Sequence, residues 1–373
     1  MFGTRIELLR LFGIPIRLDL SWFVVAVLIA WSLATGVFPQ LEPNLTARAY
    51  WGMGVAGAIG LFASVLVHEF SHAWVARRHA IAIEGITLFI FGGVAEMGGE
   101  PPSPKAEFRM AAAGPLVSIA IGALLLGLGD LIPGAPPPIR GVLSYLGFIN
   151  LVLAAFNLVP AFPLDGGRIL RSALWQWKQD LRWATAVASR LGSAFSVLLM
   201  LLGVVRVLVG DFVGGMWSFL IGMFLRQAAQ SAYQHVLVRR ALEGEPVRRF
   251  MTSDPVTLPA GLTIGEAVER YFYRYHHKLF PVTDDARLLG CLSTRELKGL
   301  PRDEWGRRTV AALTVPCSTR NTITPDTDAL LALALMRRSG EPRLLVVEDG
   351  RLLGVVTLKD LLEFFALKLE LEP

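Results

Sequence analysis

Cysteine is nearly absent from this chain of 373 residues, which contains only Cys291 and Cys317. Neither residue belongs to a C-x-x-C motif, so the sequence offers no disulfide framework and no site at which thiolates would hold zinc. A bound metal ion would therefore depend on histidine and carboxylate side chains.

Charged residues are also scarce: they make up 18% of the chain, against 53% hydrophobic residues and a mean hydropathy of +0.50. This composition indicates a membrane protein with room for a soluble domain. The net charge of +5 and the pI of about 9.4 are also typical of nucleic-acid-binding proteins. The basic residues lie at the ends of apolar runs, however, which favours membrane topology, and we expect no nucleic-acid partner.

The apolar segment Leu61–Arg78 contains the pattern His-Glu-x-x-His at His68, Glu69 and His72. Residues four positions apart share one face of a helix, so both imidazoles can reach one metal ion. Zinc with an open coordination position makes a water molecule acidic, and Glu69 is placed to act as its base. The alternative is a chance match, but ionisable residues in a helix of lipid length are costly and usually mark function. The pattern predicts a metalloprotease.

Six apolar segments are long enough to cross about 30 Å of hydrocarbon. They are Leu20–Phe38, Tyr50–Ala76, Ala106–Leu128, Gly141–Pro160, Ala184–Val209 and Phe212–Ala229. A cleaved signal peptide is an alternative for the first, although the long leader before it favours an uncleaved span. Leu170–Trp183 has the pattern of an amphipathic interfacial helix. We therefore expect a polytopic α-helical membrane domain over residues 1–240.

The segment Ile81–Met97 is rich in β-branched and aromatic residues and contains Gly92 and Gly93, which predicts a hairpin rather than a span. Non-helical backbone is tolerated at membrane depth only beside protein or a water-filled cavity. We therefore expect a short membrane-associated β element next to such a cavity.

Six spans place both termini on one side of the membrane. Most basic residues at the ends of the spans lie on that side, among them Arg77, Arg78, Arg171 and Arg239. The positive-inside rule makes this side cytoplasmic. We expect a multi-pass protein of the cell membrane, embedded in the lipid bilayer, with cytoplasmic termini.

From about Glu245 the composition becomes that of a soluble protein, and a pattern of strand, helix, strand, turn, strand and helix occurs twice, in residues 245–305 and 308–373. The last strand of each copy leads into a helix, as GCLSTREL at residues 290–297 and GVVTLKDL at residues 354–361. This tandem resembles a pair of CBS domains, which implies a cytoplasmic α/β fold.

The CBS resemblance further implies that ATP or AMP binds at Thr357 and Asp360. Ser293 is the matching position in the first copy, where Glu296 departs from the pattern. The alternative is a structural module that forms a homodimer through the CBS domains.

A catalytic zinc ion usually has three protein ligands, so a carboxylate must join the two histidines. The candidates are Glu84, Glu96 and Asp165. Asp165 is best placed, because it follows the fourth span and is fixed by prolines before it and by Gly166 and Gly167 after it. The alternative is a simple Asp-Gly turn.

HEFSH at residues 68–72 and FNLVPAFPLDGGRIL at residues 156–170 together resemble the site-2 protease family of intramembrane zinc metalloproteases, in the six-span subgroup with a C-terminal CBS pair. The resemblance covers essentially the whole chain. It implies one zinc ion bound by His68, His72 and Asp165, with Glu69 as general base and acid. It also implies that Asn157 helps to hold the scissile carbonyl or its oxyanion, although an interhelical hydrogen bond is the alternative for this residue.

The resemblance predicts regulated intramembrane proteolysis of a membrane-embedded regulatory protein. A transmembrane helix hides its carbonyls in hydrogen bonds, so the substrate must unwind before water can attack. The Ile81–Met97 element could replace the lost hydrogen bonds by strand addition. The expected substrate-binding residues are Ile86, Leu88, Ile90, Gly92 and Gly93.

A CBS-regulated metal or ion transporter is the rival function, and a catalytically inactive scaffold is a third. A transporter has no need of a glutamate next to a ligating histidine, so Glu69 favours the protease.

Overall fold

A computed structural model describes residues 5–131, 134, 136–284, 287–318 and 321–371. The ends of the predicted ranges 1–240 and 308–373 therefore lie partly outside the described residues. The chain divides into two compact units, Met1–Gln234 and His235–Pro373.

The first unit contains four strands and eight helices in the described residues, the last of which continues into the second unit. In chain order they are β1 Arg5–Leu11, β2 Ile14–Asp19, α1 Leu20–Ser32, α2 Phe38–Leu41, α3 Ala47–Arg78, β3 Ile83–Phe89, β4 Gly92–Met97, α4 Pro104–Leu131, α5 Pro137–Asn157, α6 Asp165–Lys178, α7 Leu181–Leu208 and α8 Phe212–Leu242. A π turn over Leu33–Val37 joins α1 to α2.

Five helical segments among the described residues are long and apolar enough to cross a membrane. They are Leu20–Leu41, Ala47–Arg78, Pro104–Gly129, Pro137–Asn157 and Leu181–Leu208, and they correspond to the first five predicted spans. The sixth predicted span lies in α8, which is not one of the five, since Arg226 and Gln227 interrupt its apolar run. The prediction of a polytopic α-helical membrane fold is confirmed, with a sixth helix that is less apolar than the others.

Helix α3, which carries the His-Glu-x-x-His pattern, packs closely against its neighbours. Thr46 caps its first turn by accepting a hydrogen bond from the backbone N–H of Ala49. A Cβ on Gly54 would lie 2.5 Å from the carbonyl oxygen of Ala30 in α1, and one on Gly60 would lie 2.5 Å from Leu146 of α5. Small residues thus let α3 approach α1 and α5.

The predicted interfacial helix is shifted toward the N-terminus. Helix α6 begins at Asp165, and Gln179 ends it in the left-handed conformation, with φ of 55°. Asp180 then caps α7, so the predicted Leu170–Trp183 helix spans the break between two helices.

The strands β1 to β4 form one sheet in the order β1-β2-β3-β4. β3 and β4 form the predicted hairpin, and the hairpin also joins the N-terminal strands, because β2 pairs with β3 in parallel, with Ile16 opposite Ile86 and Leu18 opposite Leu88. β4 therefore lies at one edge of the sheet.

The second unit contains two copies of the predicted repeat. The elements are β5 Thr252–Ser253, β6 Leu258–Pro259, α9 Ile264–Ala267, α10 Tyr273–Tyr275, β7 Leu279–Asp284, β8 Arg287–Ser293, α11 Thr294–Lys298, α12 Val310–Leu313, β9 Val315–Pro316, β10 Thr322–Ile323, α13 Ala329–Ser339, β11 Arg343–Glu348, β12 Arg351–Thr357 and α14 Leu358–Leu371. Their main sheet has the order β10-β11-β12-β8-β7-β6, and the copies meet where Arg287 pairs with Arg351. Each copy has its own buried core, one around Phe280 and Leu292 and the other around Leu344 and Val356.

Candidate metal centre

His68, His72 and Asp165 meet at one buried point. The Nε2 atoms of the two histidines are 3.2 Å apart, and each lies 3.1 Å from Oδ2 of Asp165. A tetrahedral zinc ion with bonds of 2.0–2.1 Å separates its donor atoms by about 3.3 Å. The spacing of these three donors therefore fits a single zinc ion.

Hydrogen bonds on the far side of the two imidazoles hold the rings in place. Nδ1 of His72 lies 2.7 Å from the carbonyl oxygen of Met110, which can only accept, so Nδ1 carries a proton and Nε2 is the ring nitrogen left for a metal ion. Nδ1 of His68 lies 2.9 Å from Oγ of Ser118. Nε2 of His72 thus faces a carboxylate oxygen, and a proton or a metal ion between the two atoms would stabilise both.

Helix α4 supplies these supporting groups, which no sequence motif marked. Met110, Gly114 and Ser118 recur every four residues, so they form one stripe along α4. A Cβ on Gly114 would lie 2.6 Å from Nε2 of His68 and still closer to Nε2 of His72. Glycine at this position keeps the space beside the donor atoms open. The spacing was visible in the sequence, but the identity of its partner helix was not.

Asp165 reaches the histidines because α6 starts against the loop that follows α5. A Cβ on Gly166 or Gly167 would overlap backbone atoms of the segment 158–162. Neither glycine has a positive φ, so the pair is required for close packing rather than for a turn. The Asp-Gly turn is therefore not the reason for this motif.

The two other carboxylates considered as ligands lie elsewhere. Glu96 of β4 accepts hydrogen bonds from Arg5, Arg17 and Thr87, with distances of 2.7, 3.1 and 3.0 Å, and so links all four strands of the sheet. Glu84 is exposed. Neither belongs to the three-residue group that could hold a metal ion.

Glu69 lies between the metal centre and strand β4. A Cβ on Gly93 would be only 2.6 Å from Cγ of Glu69, so the strand backbone touches this side chain. The backbone N–H of Ala95 interacts with the Glu69 carboxylate. Strand β4 therefore packs directly against the residue that is expected to act as the base.

The expected substrate-binding residues fall into two groups. Ile86 and Leu88 are buried in β3, which is paired with β2 on one side and β4 on the other, so strand addition through them is wrong. Ile90 lies at the hairpin turn, where its N–H donates to Oγ of Ser21. Gly92 and Gly93 belong to β4, the edge strand, which pairs only with β3 among the described residues.

Asn157 is the last residue of α5, and its amide donates to the carbonyl oxygen of Leu153 in the same helix at 3.0 Å. The interhelical hydrogen bond considered for Asn157 is instead made by Asn150. The Asn150 side chain is buried and donates to Oγ of Ser64, one helical turn before His68.

The candidate nucleotide-binding residues act as helix caps. The hydroxyl and backbone N–H of Ser293 donate to Glu296, and the N–H of Thr357 donates to Asp360 at 2.8 Å. The N–H of Asp360 donates back to the Thr357 hydroxyl. The two copies thus use the same local structure at the start of α11 and α14.

Comparisons with known proteins agree with this architecture. A model of peptidase family M50 matches residues 56–138 and 134–201, and CBS domain models match residues 247–301 and 315–367. Rip3 of Mycobacterium tuberculosis, named as a zinc metalloprotease, is 34% identical over 359 residues, which cover 95% of this chain and 91% of Rip3.

Two proteins from Methanocaldococcus jannaschii are also similar to this chain. Zinc metalloprotease MJ0392 of Methanocaldococcus jannaschii is 29% identical over 96% of this chain and 95% of its own length. The solved site-2 protease from Methanocaldococcus jannaschii is 32% identical, with a TM-score of 0.45, over 62% of this chain and 95% of that chain. The family models and the similarity to Rip3 show that the chain is a multi-pass membrane metalloprotease that belongs to peptidase family M50, the site-2 protease family, and carries a CBS domain pair.

Proposed function

We propose that this protein is an intramembrane zinc metalloprotease that cleaves peptide bonds within or next to transmembrane segments of membrane-bound regulatory proteins. The observation that carries the proposal is the meeting of three donor atoms, from α3 and α6, beside Glu69 and the edge of β4.

His68, His72 and Asp165 would hold the zinc ion. Bound there, zinc would act as a Lewis acid and lower the pKa of a water molecule. Glu69 would act as the general base that takes a proton from the attacking water and as the general acid that gives it to the leaving amine.

Strand β4 would receive the unwound substrate. Its outer edge carries backbone N–H and C=O groups that can replace the hydrogen bonds lost from the substrate helix. Gly92 and Gly93 have no side chains, so an added strand can approach the backbone closely beside Glu69. The proposed substrate site is thus the β4 edge with the hairpin turn at Ile90.

We assign to Asn157 the role of holding the scissile carbonyl or its oxyanion. To do so, its amide must leave the carbonyl oxygen of Leu153, to which it now donates. Asn157→Ala should then lower kcat by about 10²-fold or more, the effect of removing an oxyanion donor.

We also propose that the CBS unit lies in the cytoplasm and binds ATP or AMP through Thr357 and Asp360, or alternatively serves as a homodimer contact. The basic residues near the predicted cytoplasmic ends of the helices support the orientation. Calorimetric titration of the full chain with ATP and with AMP tests the sensing role. Absence of heat with both nucleotides would leave only the dimer role, which light scattering of the purified chain would test.

The decisive variant for the proteolytic function is Glu69→Gln. It should retain zinc and lose at least about 10²-fold in cleavage of a membrane-embedded reporter, because general acid and base catalysis is removed. Glu84→Gln is the matched control, since Glu84 is an exposed glutamate outside the metal group. Cleavage by Glu69→Gln at the wild-type rate would contradict proteolysis at this site and favour the transporter.

A further inference from the structure

A second group of buried charges lies beside the metal centre. Nε of Arg171 donates to Oε1 of Glu107 at 2.7 Å, and Nη2 of Arg171 contacts both Glu107 and Oε2 of Glu100, the latter at 3.2 Å. The Arg171 side chain is 3% exposed and that of Glu107 is 0% exposed. The pair is therefore removed from water almost completely.

Stability alone is a weak reason to bury such a pair. Removing two ions from water costs free energy that their attraction only partly offsets, and well-packed apolar residues often give equal or greater stability. Buried ionisable residues in membrane proteins usually mark a functional site. The position of the pair indicates which function it serves.

Arg171 and Glu107 connect the two helices that build the metal centre. Arg171 lies on α6, which begins with Asp165, and Glu107 lies on α4, one turn before Met110. The carbonyl of Met110 in turn accepts the hydrogen bond from His72. The ion pair thus holds α6, which carries Asp165, against α4, which orients His72 through Met110.

Glu100 extends this connection to the substrate strand. It lies in the segment between β4 and α4, three residues after Met97, the last residue of β4. Its contact with Arg171 ties the end of β4 to α6. The Arg171 guanidinium on α6 therefore contacts both α4, through Glu107, and the segment that follows β4, through Glu100.

Arginine suits this position better than lysine. Its planar fork can donate to two carboxylates on separate elements at once, whereas an ammonium acts as a point charge. The Arg171 guanidinium also lies 5.1 Å from the ring centre of Phe162, in the loop that leads into Asp165. Arg171 therefore uses the fork of its guanidinium to bind the two carboxylates and the face of the guanidinium to contact Phe162.

We propose that Arg171 is a positioning residue with two arms. Through Glu107 it holds Asp165 against the two histidines, and through Glu100 it holds β4 in register with the metal centre. The proposal rests on the proposed function, because it assigns metal binding to Asp165 and substrate binding to β4.

The first test is the zinc affinity of the purified full chain, measured by competition with a chelator. Arg171→Gln and Glu107→Gln should each weaken zinc binding about 10- to 100-fold, the effect seen when groups that orient metal ligands are removed. Arg171→Lys should recover part of this loss. Lys178→Gln is the matched control, since it removes an exposed cation from the same helix, and it should bind zinc as the wild type does.

The two arms give different kinetic effects. Glu100→Gln should raise KM for a membrane-embedded reporter and leave zinc affinity unchanged, because only the arm to β4 is removed. Arg171→Gln, measured at saturating zinc, should lower kcat and raise KM together. A change in zinc affinity in Glu100→Gln, or an unchanged KM, would overturn the assignment of separate arms.

The double variant Glu107→Leu/Arg171→Met separates positioning from folding. Two apolar residues should restore the thermal stability that either single change lowers, yet zinc affinity should stay at least about 10-fold below that of the wild type. Wild-type zinc affinity in this double variant would overturn the proposal. Failure of the wild-type chain itself to bind zinc would contradict the proposed function instead, so the two failures are distinguishable.

Discussion

Gly114→Ala should abolish metal binding while it leaves the fold intact. The added methyl group would lie 2.6 Å from Nε2 of His68 and closer still to Nε2 of His72, inside the space between the donor atoms. Neither ring can swing away, since Nδ1 of His68 contacts Ser118 at 2.9 Å and Nδ1 of His72 donates to Met110 at 2.7 Å. The obstruction therefore falls on the metal position.

The gain in helix propensity from the same change offsets only part of this steric overlap. Replacing glycine by alanine in a helix interior stabilises it by about 1 kcal/mol. Gly127→Ala provides the matched control, because Gly127 lies in α4 and a Cβ there meets nothing within 4 Å. Gly127→Ala should show that gain with wild-type zinc affinity. Gly114→Ala should lose at least about 10²-fold in zinc affinity and remain folded without metal, although the steric overlap makes it less stable than Gly127→Ala.

The assay is zinc binding by chelator competition, combined with thermal unfolding of the metal-free chain in detergent. Gly114→Ala with zinc affinity and reporter cleavage equal to those of Gly127→Ala would refute the reasoning. That result would mean that the imidazole donors do not face α4 as the structure has them.

Three further predictions concern other parts of the chain. Ser118→Ala should weaken zinc binding about 10-fold, since the hydroxyl supports His68. Gly93→Ala should lower kcat about 10²-fold at unchanged zinc affinity, because its methyl group would displace Glu69 and small displacements of catalytic groups are costly. In the CBS unit, the ammonium of Lys368 holds the pKa of Glu245 below its ordinary value of 4.5. Ionised Glu245 thus stabilises the folded unit above pH 4.5, and this contribution is lost as the pH falls through the lowered pKa.

Controls for these predictions come from the same chain. Gly99→Ala adds a methyl group to open space beyond β4 and should leave kcat unchanged. For the pH effect, thermal unfolding of wild type and Glu245→Gln should differ at pH 7 and converge toward pH 3. A constant difference across that range, wild-type zinc binding in Ser118→Ala, or an unchanged kcat in Gly93→Ala would each contradict the corresponding prediction.

Local spacing in the sequence identified the histidine pair, because residues four apart on a helix face the same way whatever else the chain does. The repeat in the second unit was equally visible, since each copy shows its own alternation of strands and helices. Both signals depend only on residues that are close in sequence, so they can be recognised without knowledge of the tertiary fold.

The remaining parts of the site depend on contacts between distant segments. Met110 contributes a backbone carbonyl, which any residue type has, so no sequence signal could mark it. The edge of β4 could not be distinguished from β3 because that choice depends on β2, some 70 residues earlier, which occupies the other side of β3. Arg171 and Glu107 are likewise 64 positions apart.

The zinc content of purified Asp165→Ala, compared with that of the wild type after identical dialysis, tests the central claim most directly. Because Asp165 supplies the third donor atom, 3.1 Å from each histidine nitrogen, the wild type should retain one zinc ion per chain and the variant almost none. Full retention of zinc by Asp165→Ala, with wild-type affinity, would contradict the account.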